Sequence, residues 1–208
     1  KVVSPHPIYD NFGKIETREK SLESLNLDSS YRYILFFGLI RDYKGLDLLL
    51  EAYSTQELRE KKIKLIIAGE YYSDKTPYLE LIKKYKLEKD IIQADKFIPD
   101  SEVHLYFNAC DLVVQPYKSA TQSGVTQIAY HFNKPMVVTN VGGLKEMCPD
   151  GKVGYVVNPN PHEIKNAILK FFDNKDSKEM IENIKEIKTQ YSWSIFTKNL
   201  LSLLSLNK

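Results

Sequence analysis

Apolar residues fall along this chain in two rhythms. Short unbroken runs suit strands buried on both faces, and stretches that recur every three or four positions suit helices. The runs are Tyr33–Phe37 (YILFF), Lys62–Ala68 (KIKLIIA), Asp90–Ile98, Asp111–Tyr117 (DLVVQPY), Lys134–Thr139 (KPMVVT) and Gly154–Val157 (GYVV). Between them, Leu46, Leu49, Leu50 and Tyr53 predict a helix over about 44–55. Thr76-Pro77 opens another, with Leu79, Ile82 and Tyr85 on one face and Pro77 suited to the first turn. Asp100-Ser101-Glu102 reads as a cap for a helix carrying Val103, Leu105, Tyr106 and Ala109. A polar loop, Lys118 to Ser123, leads into a helix over Gly124–Phe132, and Leu144–Cys148 is a short helix after the Val141-Gly142-Gly143 turn. The chain ends in helical patterns over Pro161–Phe172, Ser177–Thr189 and Ser192 to about Leu204. Ahead of the first strand, Thr17–Leu25 suits a short helix, and residues 1–15, broken by Pro5, Pro7 and Gly13, suit a connector.

Strands alternating with helices over most of the chain predict an α/β fold: a Rossmann-like parallel sheet of about six strands with helices on both faces. The expected division is an interdomain connector over 1–15, the Rossmann-like domain over 16–175 and C-terminal helices over 176–208. In such sheets ligands bind beyond the carboxyl ends of the strands, where strand order reverses. The candidate loops are therefore Gly38–Gly45, Gly69–Tyr72, Tyr117–Gly124 and Val141–Gly143. In the first of them a glycine ends the strand, Arg41 and Lys44 follow, and a helix begins after Gly45. That combination makes a seat for an anionic ligand, although an ordinary strand–loop–helix corner with solvated cations has the same look.

Composition narrows the choices. The 208 residues are 43% hydrophobic and 27% charged, the balance of a globular protein with a sizeable core. A net charge of +2 argues against nucleic acid or a membrane surface as the partner of this part of the chain. Cys110 and Cys148 have no Cys or His at metal-ligand spacing, and they read as reduced core thiols of a cytoplasmic protein. His6, His104, His131 and His162 are scattered. No secretory signal or membrane-spanning run is visible. The opening KVVSPHPIYDNFG starts without methionine, and it reads as the start of a piece whose N-terminal partner domain lies elsewhere.

Taken in order, FFGLIRDYKGLDLLLEAY, LIIAGE, FIPDSEVHLYFNACDLVVQPY, KPMVVTNVGGLKEM and GYVV resemble the C-terminal domain of family 4 (group 1) glycosyltransferases, which have the GT-B architecture of two Rossmann-like domains around a cleft. The resemblance spans roughly residues 30–170, and VSPHPIYDNFG resembles the connector leaving the first domain. It implies a transferase, of hexosyltransferase type, whose nucleotide-diphosphate sugar donor binds to this half. The absent N-terminal domain would supply the acceptor site, and contact with a membrane through that half is left open, as is a place at the inner membrane face. Transfer with retention and without a metal or other cofactor is implied, together with inactivity of this piece alone, since its cleft lacks one wall.

Gly38 matches the glycine of the family's glycine–arginine–x–x–x–x–lysine–glycine loop, and Lys44-Gly45 match its end. Leu39 stands where the arginine usually follows, and Arg41 is the nearest substitute. The donor-binding surface implied in this way comprises Gly38, Arg41, Lys44, Gly69, Glu70, Ile98, Thr121, Gln122, Ser123, Gly124, Val125 and Gln127. No residue of this half is marked as catalytic beyond the electrostatic support of Arg41 and Lys44, which suit the charge that grows on a departing diphosphate. The sequence departs from the family at its paired glutamates, because no Asp or Glu occurs from Leu112 to Lys145. Their positions fall near Ala120 and Ile128, leaving Gln127 as the nearest polar group for a ribose. Two readings follow. One is an active donor-binding half, and the other is a nucleotide-sugar-binding or assembly module that has lost catalysis. A dehydrogenase is disfavoured, because FFGLIRDYKG does not supply G-x-G-x-x-G.

Overall fold

The structure, a computed structural model, describes residues 6–173 and 177–205. The first five residues of the expected connector and the expected boundary at 175–176 lie outside the described residues. Strands β1 (Arg32–Phe37), β2 (Ile63–Ala68), β3 (Ile91–Ala94), β4 (Leu112–Gln115), β5 (Met136–Thr139) and β6 (Gly154–Val157) form one parallel six-stranded sheet in the order β3-β2-β1-β4-β5-β6. Around it lie α1 (Arg18–Ser24), α2 (Leu46–Tyr53), α3 (Gln56–Glu60), α4 (Thr76–Lys84), α5 (Asp100–Ala109), α6 (Gly124–His131), α7 (Leu144–Met147), α8 (Pro161–Asp173), α9 (Ser177–Ile187) and α10 (Trp193–Ser205).

The unbroken apolar runs are explained by the two cores. Ile34, Phe36, Leu65 and Ile67 face one core, which α2, α4 and α8 close. Tyr33, Leu35, Ile66 and Ala68 face the other, which α5 and α6 close. Each fully buried Leu or Ile contributes about 1.5–3 kcal/mol of burial, so both faces of every central strand must be apolar. The chain runs outward from β1 to β2 and β3, then returns to the far side of β1 as β4. Strand order thus reverses between β1 and β4, and the loops leaving those two strands bound a crevice.

Local differences from the expected elements have simple causes. β3 stops at Ala94, where Lys96 N–H turns back to donate to Ala94 O at 2.9 Å, so the run to Ile98 leaves the sheet early. β4 stops before Pro116, which has no N–H to continue a ladder. On α4 the buried face is Tyr78 and Ile82, and Leu79 is exposed, because the Tyr78 ring packs against Tyr71 at 5.6 Å. The short α3 was not expected, as Leu58 is its only buried residue. Asp100 is the first residue of α5 rather than its cap, and makes no capping bond. The connector is laid across the second core. Tyr9 and Phe12 pack there, Ile8 N–H donates to Tyr191 O at 2.9 Å, and His131 Nε2 meets Gly13 O at 2.9 Å.

Candidate functional site

At the carboxyl end of β1, Gly38 N–H donates to Ala68 O at 2.9 Å. The backbone of Gly69 passes so close that a methyl group there would collide with the Gly38 carbonyl. Two glycines in contact let the β1 and β2 exits run side by side with no side chain between them. The loop is then tied down, with Ile40 N–H donating to Glu70 O at 2.8 Å and Tyr72 N–H to Ile40 O at 3.0 Å. A single 3₁₀ turn, Asp42–Lys44, delivers Lys44 into the crevice. Lys118, leaving β4, holds that turn from the other side through Asp42 at 2.7 Å and Asp47 at 2.9 Å.

Those two pairs engage the carboxylates nearest the turn and leave Lys44 without one. Lys44 is 9% exposed, and among the described residues its ammonium makes no ion pair or hydrogen bond. Burial, with the positive charge of Arg41 added, brings its pKa down to about 8. The Arg41 guanidinium carbon lies over the Tyr72 ring, 4.0 Å from its centre, and Arg41 Nε is buried without a partner among the described residues. Two cations held close together, both short of partners, form a site that an anion would stabilise.

Across the crevice, Ser123 stands at the N-cap position of α6 in extended conformation, and its hydroxyl lies 3.2 Å from Tyr117 Oη. It makes no side-chain cap bond to the helix, and Thr126 N–H donates to Ser123 O at 3.2 Å, so among the described residues the Gly124 and Val125 N–H groups are the ones left at the crevice. A methyl group added at Gly38 would lie 3.0 Å from Lys44 Nζ and 3.8 Å from Val125 Cγ2. The ammonium and the first turn of α6 therefore flank the same point. The loop before α6 is clamped by the β5 exit, where Gly143 N–H donates to Thr121 O at 3.0 Å. At Gly142 (φ +51°) a side chain would strike Ala120 O.

Three cavities follow from this arrangement. The first, about 310 Å³, runs between Lys44, Gly38 and Ser123–Val125, with Tyr43 and Tyr117 edge to face at 6.1 Å along one side. The second, about 230 Å³, is apolar and opens beside it under Phe37, Leu39, Phe97 and Ile98, with Glu70 and Asp100 at its edge. The third, about 180 Å³, lies beyond Ser123 and Gly124, among His6, Tyr9, Gln122, Gln127 and Met147.

Of the residues expected from the sequence, Gly38, Lys44, Gln122, Ser123, Gly124 and Val125 meet around the first cavity, and Gly38, Gly69, Glu70 and Ile98 around the second. Gln127 opens on the third cavity, away from Lys44. Arg41 and Thr121 line none of the three; Thr121 contributes a carbonyl to the loop clamp. Sequence reasoning missed Tyr9 and Phe12 from the connector and Tyr43, Tyr117 and Phe97 from the loops. The available signal was the unusual number of tyrosines, 14 in all, several of them beside the glycine-marked loops. Among the described residues no group of three or more His, Cys, Asp and Glu side chains could hold a metal ion.

The fold is a doubly wound α/β domain with a crevice at the switch point between β1 and β4. A family model for group 1 glycosyl transferases matches residues 17–187, and the chain belongs to that family. The lipopolysaccharide 1,2-N-acetylglucosaminetransferase of Salmonella typhimurium is 28% identical over 183 residues, covering 82% of this chain and 47% of that protein. Among solved structures, sucrose-phosphate synthase from Thermosynechococcus elongatus superposes with a TM-score of 0.82 at 18% identity, over 98% of this chain and 52% of the other. HepE of Anabaena in complex with UDP-glucose superposes with a TM-score of 0.74 at 18% identity, over 90% and 52%. The chain spans about half the length of the curated relatives it matches, and its fold is that of the C-terminal half of a GT-B glycosyltransferase.

Proposed function

We propose that this chain is the donor-binding half of a glycosyltransferase that takes a nucleotide-diphosphate sugar. The observation that carries the reading is the buried Lys44 ammonium, without a carboxylate among the described residues, set against the first turn of α6 across Gly38. A diphosphate placed there is held by Lys44 on one side and by backbone N–H groups and the helix dipole on the other. Arg41 adds positive charge from the rim. The apolar cavity under Phe37 and Ile98 suits a planar nucleobase. UDP-glucose in the HepE complex supports this class of ligand.

As the bond from sugar to diphosphate breaks, negative charge accumulates on the leaving oxygens. Lys44 and the α6 terminus are fixed in advance where that charge develops, which lowers the barrier without a metal. A domain outside this chain supplies the acceptor, and transfer proceeds with retention. The buried, unpaired thiols of Cys110 and Cys148 fit a reducing, cytoplasmic setting.

The test is calorimetric titration of the whole protein with UDP, GDP and ADP. One of them is expected to bind with a Kd of about 1 μM to 1 mM, the ordinary range for enzyme substrates. Absence of binding by all three sinks the proposal. Consumption of the matching nucleotide sugar above background then separates the transferase from the binding module that the missing glutamates suggested.

A further inference from the structure

Of Arg41, Lys44 and Lys118, the cations at the β1 and β4 exits, only Lys118 pairs with carboxylates among the described residues. Its ammonium meets Asp42 at 2.7 Å and Asp47 at 2.9 Å, and its side chain is not among those that line the first cavity. Asp42 and Lys44 are the two ends of one 3₁₀ turn. That turn closes on itself through Lys44 N–H to Arg41 O at 2.9 Å and Gly45 N–H to Asp42 O at 3.0 Å. So short a turn, with hydrogen bonds of poorer geometry than those of an α-helix, does not by itself fix where a long side chain ends. The exit of β4 supplies the rest. Lys118 N–H donates to Tyr43 O at 2.7 Å, and a methyl group at Gly45 would strike the Pro116 carbonyl. The same exit leads on to α6, with Tyr117 Oη 3.2 Å from Ser123 Oγ. Lys118 therefore joins the turn that carries Lys44 to the segment that carries the α6 terminus.

We propose that Lys118 is a positioning residue for the diphosphate: by holding Asp42 and Asp47 it sets the Lys44 ammonium opposite the first turn of α6, without touching the ligand. The inference rests on the donor-half reading, which supplies the ligand. With the Lys118 side chain 32% and that of Asp42 83% exposed, these ion pairs add little to fold stability. What they fix is geometry, and about 1 Å of displacement takes much of the strength from a charged contact. Asp47 gives the second hold. Its Oδ1 is buried without a partner among the described residues, so the pair through Oδ2 is what ties that carboxylate to the β4 exit. Two carboxylates against one ammonium also separate this role from others by sign. If Lys118 touched phosphate, or acted through net charge, removing the carboxylates would strengthen anion binding; if Lys118 positions Lys44, removing them weakens it.

The experiment titrates the whole protein and its variants with whichever of UDP, GDP and ADP the wild type binds. Lys118→Met is expected to weaken the diphosphate about three- to tenfold, and to cost less than about twofold in a Lys44→Met background, since its effect passes through that ammonium. Asp42→Asn combined with Asp47→Asn is expected to weaken it about threefold. A pH series reads the same hold independently. The titratable groups around the Lys44 ammonium are Arg41 of its own loop and the phenols of Tyr9, Tyr43 and Tyr117 along the cavity. A turn released from β4 lets the ammonium out toward water. In Lys118→Met the fall of affinity with pH should therefore begin above 8, toward the ordinary 10.5. Unchanged or tighter binding by the double asparagine variant, full additivity of the Lys118 and Lys44 losses, or an unmoved pH profile overturns the inference alone. Failure of wild type to bind any of the three diphosphates removes the donor-half reading and this inference together. If Lys118→Met does not fold, the double asparagine variant decides.

Discussion

Lys44 carries its ammonium into a largely buried position at the wall of the first cavity, with Arg41 as a neighbouring cation, and both burial and that charge favour the neutral amine. Its pKa of about 8 when folded, against the ordinary 10.5, gives the free protein a distinct pH response. Between those two values the unfolded chain holds a proton that the folded chain has released, so stability rises with pH across that window. The gain is about 3 kcal/mol at one and a third kcal/mol per unit, and it is expected to disappear in Lys44→Met when urea unfolding is compared at pH 8 and pH 10.5. Ligand binding has the opposite sign. A diphosphate needs the ammonium, so its affinity is expected to fall as pH rises through 8, by up to tenfold per unit, with no such slope in Lys44→Met. Below pH 8, Lys44→Ala removes a charged hydrogen bond worth about 1.5–3 kcal/mol, a tenfold to hundredfold loss in Kd. That loss should shrink with added salt.

Helix α6 acts through its backbone. Gly124 opens it, and a side chain there would meet the Tyr9 ring at 3.2 Å and crowd both cavities that share this end of the helix. Gly124→Val is expected to weaken diphosphate binding roughly tenfold by obstruction alone. The loss should be nearly independent of ionic strength, which separates it from the loss of Lys44 in the same titration. The start of α6 was legible in the sequence, because a polar loop ends at Ser123-Gly124 and an apolar period follows. The clamp that aims it, Gly143 to Thr121 with Gly142 against Ala120, was not legible, since it joins two loops leaving different strands.

Reversal of strand order between β1 and β4 gathers the cations, the helix terminus and the aromatic walls into one crevice. If diphosphate departure is stabilised by Lys44 and α6 alone, turnover of the nucleotide sugar by the whole protein should be unchanged by EDTA. A drop reversed by added Mg²⁺ or Mn²⁺ would count against that mechanism. By itself the sequence determined the fold class, because both faces of each central strand had to be apolar and the helical periods had to alternate with the strands. It also marked the Gly38, Lys44 and Ser123–Gly124 positions, because backbone freedom, fixed charge and helix starts are local properties of a few adjacent residues. Only the tertiary structure decided that Lys118 takes Asp42 and Asp47 and leaves Lys44 without a carboxylate among the described residues. In the same way it decided that Tyr9 of the connector reaches the α6 terminus and that Gln127 turns away from Lys44. Each of these depends on which loops meet across the β1–β4 crevice, a distance in space that no spacing along the chain encodes.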